Sequence, residues 1–294
     1  MSTRLCNFCK TSPTIANSHV VPRFIGAYIK KNSPFGHMIN LWARTPQHDL
    51  YKGPYLCATC DNTVFSRWED HYSRHVWPNP LAAISEWGDV ATINFFLSIA
   101  YRYAIHFLET SPIVSNRPKS VYVRDLCERA LRNSGEIGKS VYIFPYVHQP
   151  IRQGCDLLPG VNHLLQLAVH GQHLPVEGDL PKGILILTPR VLALICDGHL
   201  SASGRCTMNA ATALSLGGSF DPSTQNMDMP HFLSSILNGY IGQGQGHQKG
   251  LGRWKRLAYG TDKRLNSWKM CYQANLQDQA LHDWQKANCR GSKG

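Results

Sequence analysis

The sequence predicts an α+β protein, because segments with the period of a helix precede segments with the composition of strands. Residues 89–109 and 120–132 place apolar side chains three and four positions apart, which is typical of helices that bury one face. Three later segments are rich in Val, Ile, Leu and Tyr and are bounded by Pro and Gly, which favours strands. They are residues 140–147, 161–170 and 183–196. We expect these strands to form a small, mostly antiparallel sheet.

The N-terminal part of the chain contains two Cys-x2-Cys pairs, separated by residues 10–56. Four thiolates in two close pairs are a typical ligand set for one tetrahedral Zn²⁺, because each pair can wrap the ion from a tight turn. A redox dithiol is a weaker interpretation, since a thioredoxin-like motif requires a βαβ context that these surroundings lack. Ordinary buried thiols are the other alternative. The predicted zinc ligands are Cys6, Cys9, Cys57 and Cys60.

A domain boundary is expected at the Pro-Asn-Pro sequence of residues 78–80, which predicts a zinc-organised module at 1–78 and a larger α+β domain at 79–294. The formal net charge of +11 is concentrated at the two ends of the chain. Residues 1–78 hold nine Lys and Arg against four Asp and Glu, and residues 240–294 hold ten against three. Such patches favour a polyanionic partner, because each neutralised phosphate releases a counterion. Solubility alone is the alternative explanation.

The sequence gives no indication of export or of membrane insertion. No apolar segment separates Met1 from Cys6, as a signal peptide would require. The best membrane candidate, residues 93–108, is shorter than a spanning helix and carries Arg102 and His106, so we interpret it as a core helix. We therefore expect a cytoplasmic protein with no membrane partner, in a reducing compartment that keeps its ten cysteines from pairing.

Residues 18–22, between the two cysteine pairs, read Ser-His-Val-Val-Pro. The order of Cys-x2-Cys, a His followed by two hydrophobic residues and Pro, and then Leu-Cys-x2-Cys with a polar residue resembles the zinc-containing branch of the HNH endonucleases. These are also called His-Me finger enzymes, and the resemblance covers about residues 6–75. It implies a zinc-bound treble clef, in which a ββα-metal finger binds structural Zn²⁺ and a second, catalytic divalent cation such as Mg²⁺ or Mn²⁺.

The resemblance implies that His19 is the general base, on the first strand of the finger. A neutral imidazole can take a proton from water near pH 7, while a divalent cation on the scissile phosphate stabilises the developing charge. Family members usually carry Asp, Glu or His before this base to help hold the cation, whereas this chain has Ser18. Capping a strand, or joining the zinc shell of a non-catalytic treble clef, is the alternative role for His19.

The remaining site residues follow from the resemblance less directly. The middle asparagine of the family corresponds to Asn32 or Asn40, and we prefer Asn40 because an apolar residue follows it. The last cation ligand is expected on the helix after Cys60, where no spacing selects one residue. Asp61 and Glu69 are the preferred ligands, although acidic residues also favour a helix N-terminus without binding a metal. The available polar side chains there are Asp61, Asn62, Glu69 and His71.

Basic residues supply the expected contacts to nucleic acid. A glycine-rich stretch at residues 239–247 is followed by interleaved basic and aromatic residues, which can contact phosphate and stack on bases. A flexible loop before a C-terminal helix at 262–287 is the alternative interpretation of this stretch. The candidate contact residues are Arg23, Lys30, Lys31, Lys249, Arg253, Lys255 and Arg256.

These observations together predict a metal-dependent endonuclease that hydrolyses phosphodiester bonds, with DNA favoured over RNA. The combination of a short catalytic finger with a larger companion domain is similar to effectors of bacterial anti-phage defence or toxin systems. A regulatory protein partner or a homo-oligomer would suit that setting. The alternative is a non-catalytic zinc-stabilised nucleic-acid-binding or adaptor protein, in which Ser18 marks the loss of the catalytic cation site.

Overall fold

Helices and small antiparallel sheets make up the computed structural model, which confirms the predicted α+β class. It describes residues 4–33, 37–40, 45–79, 86, 88–111, 116–133, 141–147, 168–174, 182–189 and 191–197. The strands are β1 (Ser18–His19), β2 (Met38–Asn40), β3 (Thr45–Gln47), β4 (Lys52–Gly53), β5 (Val141–Val147), β6 (His170–His173), β7 (Gly183–Leu187) and β8 (Val191–Asp197). The α-helices are α1 (Arg23–Asn32), α2 (Ser66–His71), α3 (Val90–Thr110) and α4 (Arg117–Arg132).

The chain divides into two compact units. The first comprises Met1–Gly26, Leu50–Val147 and His170–Met227, and the second comprises Ala27–Asp49, His148–Val169 and Asp228–Gly294. The predicted division between residues 78 and 79 stays a prediction. In the second unit, β2 and β3 pair antiparallel with Asn40 opposite Thr45, and Lys30 lies 3.8 Å from the Asp49 carboxylate.

The first unit opens with a short antiparallel ladder between β1 and β4, in which Ser18 lies opposite Gly53 and His19 lies opposite Lys52. The Val20 amide extends the ladder by donating to the Tyr51 carbonyl at 2.9 Å. Beyond β4 the chain enters a helical segment built from a π-helical turn (Cys60–Phe65), α2, and a second π-helical turn (Tyr72–Val76). We call this segment the finger helix.

The core of the first unit forms around α3, where every residue from 92 to 106 is buried. Asp89 caps its N-terminus, since its carboxylate accepts from the Ala91 amide at 2.6 Å. Phe95 stacks on Tyr72 of the finger helix with ring centroids 3.8 Å apart. Burial of such a side chain contributes roughly 1.5–3 kcal/mol, so α3 holds the finger helix mainly through apolar contact. No helix within the described residues has the length and hydropathy needed to span a membrane.

A four-stranded antiparallel sheet in the order β5-β8-β7-β6 completes the first unit. Every residue of β7 is buried, which explains its continuous apolar sequence in place of an alternating one. The predicted strand 183–196 is wrong as a single element, because the chain turns at Thr188 to separate β7 from β8. There the Thr188 amide donates to the Val191 carbonyl at 2.9 Å. Only the end of the predicted strand 161–170 lies among the described strands, where His170 opens β6.

The sheet approaches α3 closely at Gly171, which predicts a marked effect of adding one methyl group. A Cβ at this position would lie 2.6 Å from Cγ of Tyr103, whose side chain is buried. We expect Gly171→Ala to lower the free energy of unfolding by about 1–3 kcal/mol, because a packed core must shift to admit the atom. Chemical denaturation measures the change. Gly88→Ala is the matched control, since its Cβ would meet nothing within 4 Å. Equal stability of the two variants would contradict this packing.

Candidate metal centre and adjoining polar cluster

The four cysteines of the two Cys-x2-Cys pairs lie together, as the sequence predicted. Their sulfur atoms all lie within 4.8 Å of one another, and the sulfurs of Cys9 and Cys57 are 3.8 Å apart. Two sulfurs at about 2.3 Å from a tetrahedral zinc would be separated by about 3.8 Å, so the donor set fits this ion in chemistry and in size. Cys6, Cys9, Cys57 and Cys60 could therefore hold a zinc ion.

The first Cys-x2-Cys pair lies on a tight backbone turn, which we call the first knuckle. The Cys6 amide donates to the Ser12 carbonyl at 2.8 Å, and the Lys10 amide donates to the Cys6 carbonyl at 3.0 Å. Lys10 has a φ of 64°, in the left-handed region that reverses the chain after Cys9. These bonds hold the two thiols of the pair on one side of the turn.

The second Cys-x2-Cys pair, which we call the second knuckle, lies at the start of the finger helix. The Cys60 amide donates to the Cys57 sulfur at 3.4 Å, and the Asp61 amide donates to the Cys57 carbonyl at 2.9 Å. Two further bonds join the knuckles, from the Asn7 amide to the Tyr55 carbonyl at 3.0 Å and from the Ile15 amide to the Leu56 carbonyl. The backbone therefore preorganises both cysteine pairs for a shared ion.

The surroundings of the thiols favour different protonation states. The Thr11 hydroxyl donates to the Cys9 sulfur at 3.3 Å, and this bond together with nearby backbone amides lowers the pKa of Cys9 to about 5. Burial raises the pKa of the Cys60 thiol, and its bonds to Cys57 and Cys6 raise it further. A metal binds thiolates, so zinc binding at this cluster would release protons and weaken at low pH.

A polar cluster adjoins the knuckles where β1 meets the start of the finger helix. The Ser18 side chain is fully buried, and its hydroxyl donates to Oδ1 of Asp61 at 2.8 Å. Asp61 follows Cys60 directly, so its carboxylate also lies at the positive end of the finger helix. The structure thus brings a carboxylate of the finger helix against Ser18, the residue before His19.

Arg102 of α3 is the main functional candidate that sequence reasoning missed. Its side chain is 2% exposed, and its guanidinium donates to the His19 carbonyl at 3.0 Å and to Oε1 of Glu69 at 2.6 Å. Burial raises the pKa of Glu69, while the guanidinium charge opposes that shift. The available signal was an arginine in the middle of a mostly apolar helix, because a buried cation requires a paired anion.

The other predicted site residues are distributed over both units. His19 is half-buried on β1, and Asn40 ends β2 in the second unit. Arg23 is the first residue of α1, and Lys30 and Lys31 lie in its last turn, where positive charges interact favourably with the helix dipole. All three side chains are exposed. Lys249, Arg253, Lys255 and Arg256 lie outside the described residues, as do the glycine-rich stretch and the predicted C-terminal helix.

Breaking the Glu69–Arg102 pair should destabilise the first unit. Glu69→Gln keeps the shape and one hydrogen-bond acceptor but removes the charge that faces the buried guanidinium. We expect the free energy of unfolding to fall by about 1–3 kcal/mol, because the buried Arg102 guanidinium loses the anion that offsets its charge. Denaturant titration measures the change. Asp70→Asn, on an exposed carboxylate of the same helix, is the control and should stay within about 0.5 kcal/mol of wild type. A Glu69→Gln protein as stable as this control would contradict the assigned pair.

No family model, curated protein or solved structure matches this chain. Function must therefore be inferred from the chemistry and geometry of the described residues.

Proposed function

We propose that this protein is a metal-dependent endonuclease that cleaves phosphodiester bonds in nucleic acid, with DNA favoured over RNA. The observation that carries the proposal is the hydrogen bond from Ser18, the residue before His19, to Asp61, which directly follows Cys60 of the four-cysteine cluster. The proposed base is then the chain neighbour of Ser18, which binds the carboxylate, and the carboxylate is the chain neighbour of a candidate zinc ligand. Phosphodiester hydrolysis by a divalent cation requires the base and the carboxylate, and the zinc centre would hold them in register.

The order of secondary structure supports a zinc-bound treble clef of the ββα-metal type. β1 carries His19, β4 pairs with it antiparallel, and the finger helix follows after Cys57 and Cys60. The first cysteine pair is joined to the chain just before Cys57 by backbone hydrogen bonds to Tyr55 and Leu56. In this arrangement zinc would stabilise the fold and take no part in the reaction.

The contact with Asp61 explains how Ser18 could serve at a position where HNH endonucleases usually have an acidic residue. The Ser18 hydroxyl is a donor to Asp61 Oδ1, so serine orients a carboxylate that the helix supplies. Asp61 would hold a cation such as Mg²⁺ or Mn²⁺, which when bound stabilises negative charge on the scissile phosphate. The second carboxylate oxygen and the remaining lone pairs of Oδ1 are chemically suited to this role.

His19 would accept a proton from the attacking water through its imidazole ring. Arg102 would act as a positioning residue, because it holds the His19 carbonyl and is itself held by Glu69. In this arrangement Glu69 would hold Arg102 against β1, so Asp61 is the stronger candidate for the ligand of the catalytic cation. Fixing a base within hydrogen-bond reach of water is worth typically 10²–10⁴ in rate.

The charge distribution supports a nucleic-acid substrate, since the net charge is +11 and the basic residues concentrate at the ends of the chain. A role as an effector of bacterial defence or as a toxin, with a regulatory partner or self-association, belongs to this proposal. So does action in the cytoplasm.

The test is incubation of the purified, zinc-loaded protein with plasmid DNA and with RNA, adding Mg²⁺, Mn²⁺ or Ni²⁺ in turn. The expected result is cleavage of DNA that requires one of these cations and stops with a chelator that leaves the thiolate zinc in place. Salt-sensitive binding without cleavage under all conditions would overturn the proposal in favour of the nucleic-acid-binding adaptor.

A further inference from the structure

Three potential metal ligands meet where the finger helix passes the start of α3. Nε2 of His71, at the end of α2, lies 3.9 Å from a carboxylate oxygen of Glu86 and 3.9 Å from Oδ1 of Asp89. All three atoms lie within 4.8 Å of one another. We propose that His71, Glu86 and Asp89 form a binding site for a divalent cation, separate from the four-cysteine cluster. We call it the junction site.

The imidazole nitrogen of His71 supports a bound cation. Nε2 is buried and has no hydrogen-bond partner among the described residues, although the His71 side chain as a whole is 21% exposed. A buried polar atom without a partner costs about 1–3 kcal/mol. Two carboxylates of like charge also lie within 4.8 Å of each other at this nitrogen. One cation would satisfy the nitrogen lone pair and neutralise both carboxylates.

The distances and exposure suit coordination after a small inward movement. Ligand atoms at about 2.1 Å from a cation lie about 3.0–3.4 Å apart at octahedral or tetrahedral angles, so each 3.9 Å separation must shorten by several tenths of an ångström. The Glu86 and Asp89 side chains are 39% and 44% exposed, which allows that movement. The exposure also leaves room for water to complete the coordination shell.

The mixed ligand set defines the class of cation. One imidazole and two carboxylates favour ions such as Mn²⁺, Co²⁺ or Ni²⁺, whereas four thiolates favour Zn²⁺. The junction site therefore differs in chemistry from the four cysteines, and Mn²⁺ can probe it without displacing thiolate-bound zinc.

The N-terminus of α3 opposes the cation, but with a smaller charge. Asp89 caps this helix by accepting from the Ala91 amide at 2.6 Å. The helix dipole places roughly half a positive charge there, against two negative charges from the carboxylates. The net field still attracts a cation. Binding would link the end of α2 to the start of α3, so we expect the cation to stabilise this junction of the first unit.

The experiment is a titration of the full-length, zinc-loaded protein with Mn²⁺, in which electron paramagnetic resonance measures the concentration of free Mn²⁺. Wild type is compared with Glu86→Gln and with Asp89→Asn, which keeps a good helix cap while it removes the ligand charge. Asp70→Asn is the matched control, because it removes an exposed charge from the same region outside the junction site. Thermal melting with and without Mn²⁺ supplies a second measurement.

The expected result is one fewer tightly bound Mn²⁺ in Glu86→Gln and Asp89→Asn, with affinity reduced at least about tenfold, and normal binding in Asp70→Asn. Mn²⁺ should raise the Tm of wild type and of the control more than that of the two site variants. Identical Mn²⁺ binding by all four proteins, or an equal loss in Asp70→Asn, would overturn the proposal. The junction site is independent of the proposed nuclease activity, since no cleavage is measured.

Discussion

His19→Ala should abolish metal-dependent cleavage of plasmid DNA while the protein keeps its fold and its zinc. The substitution removes the proposed base from a half-buried position on β1. It leaves the His19 backbone carbonyl, which accepts from Arg102, and the antiparallel pairing with Lys52. Loss of a general base is expected to slow the chemical step about 10²–10⁴-fold, which brings cleavage near the background of most assays.

The measurement is the initial rate of plasmid nicking at matched zinc content and matched thermal stability. His48→Ala is the control, because it removes an exposed histidine outside the polar cluster. Binding of DNA by His19→Ala should stay near the wild-type level, since affinity for a polyanion depends mainly on Lys and Arg. A wild-type cleavage rate in His19→Ala would show that His19 is not the base, and it would contradict the proposed mechanism.

Cys57→Ala should release zinc and unfold the N-terminal part of the first unit. Cys57 is 3% exposed and central to the cluster, since its sulfur lies 3.8 Å from that of Cys9 and accepts from the Cys60 amide. Binding of a structural zinc supplies about 10–16 kcal/mol in small zinc domains, and that energy becomes folding energy. The loss of one ligand should therefore exceed the effect of any ordinary core substitution.

Zinc content by elemental analysis and melting by circular dichroism measure this effect. Cys127→Ala is the matched control, because Cys127 is also buried but lies on α4, outside the four-cysteine cluster. It removes one sulfur atom from the core and should cost about 1 kcal/mol without loss of metal. A Cys57→Ala protein with unchanged zinc content and unchanged melting would refute the zinc centre.

Much of the secondary structure followed from local pattern. The helix predicted at 89–109 corresponds to α3, and the helix predicted at 120–132 corresponds to α4, which begins three residues earlier at Arg117. Both carry apolar residues at helical spacing, so their existence depends on near neighbours. The turn at Thr188 was missed although it carried a local signal, because Thr188, Pro189 and Arg190 interrupt the apolar sequence between β7 and β8.

The candidate site divides in the same way. The spacing within the two cysteine pairs was enough to predict a shared cluster. Each Cys-x2-Cys pair supplies two ligands from one short turn, so the length of chain between the pairs matters little as long as it brings them together. The role of Asp61 stayed open in the sequence, because Asp61 and Glu69 were both preferred as cation ligands and spacing along the finger helix did not choose between them.

The sequence by itself determined the α+β composition, the identity of the four clustered cysteines and the basic ends of the chain. Those features depend on residue type and on spacing along the chain. Only the tertiary structure decided that Ser18 meets Asp61, 43 residues away, and that Arg102 reaches the His19 carbonyl across 83 residues. Such contacts depend on how α3 and the finger helix pack, and packing is a property of the assembled core.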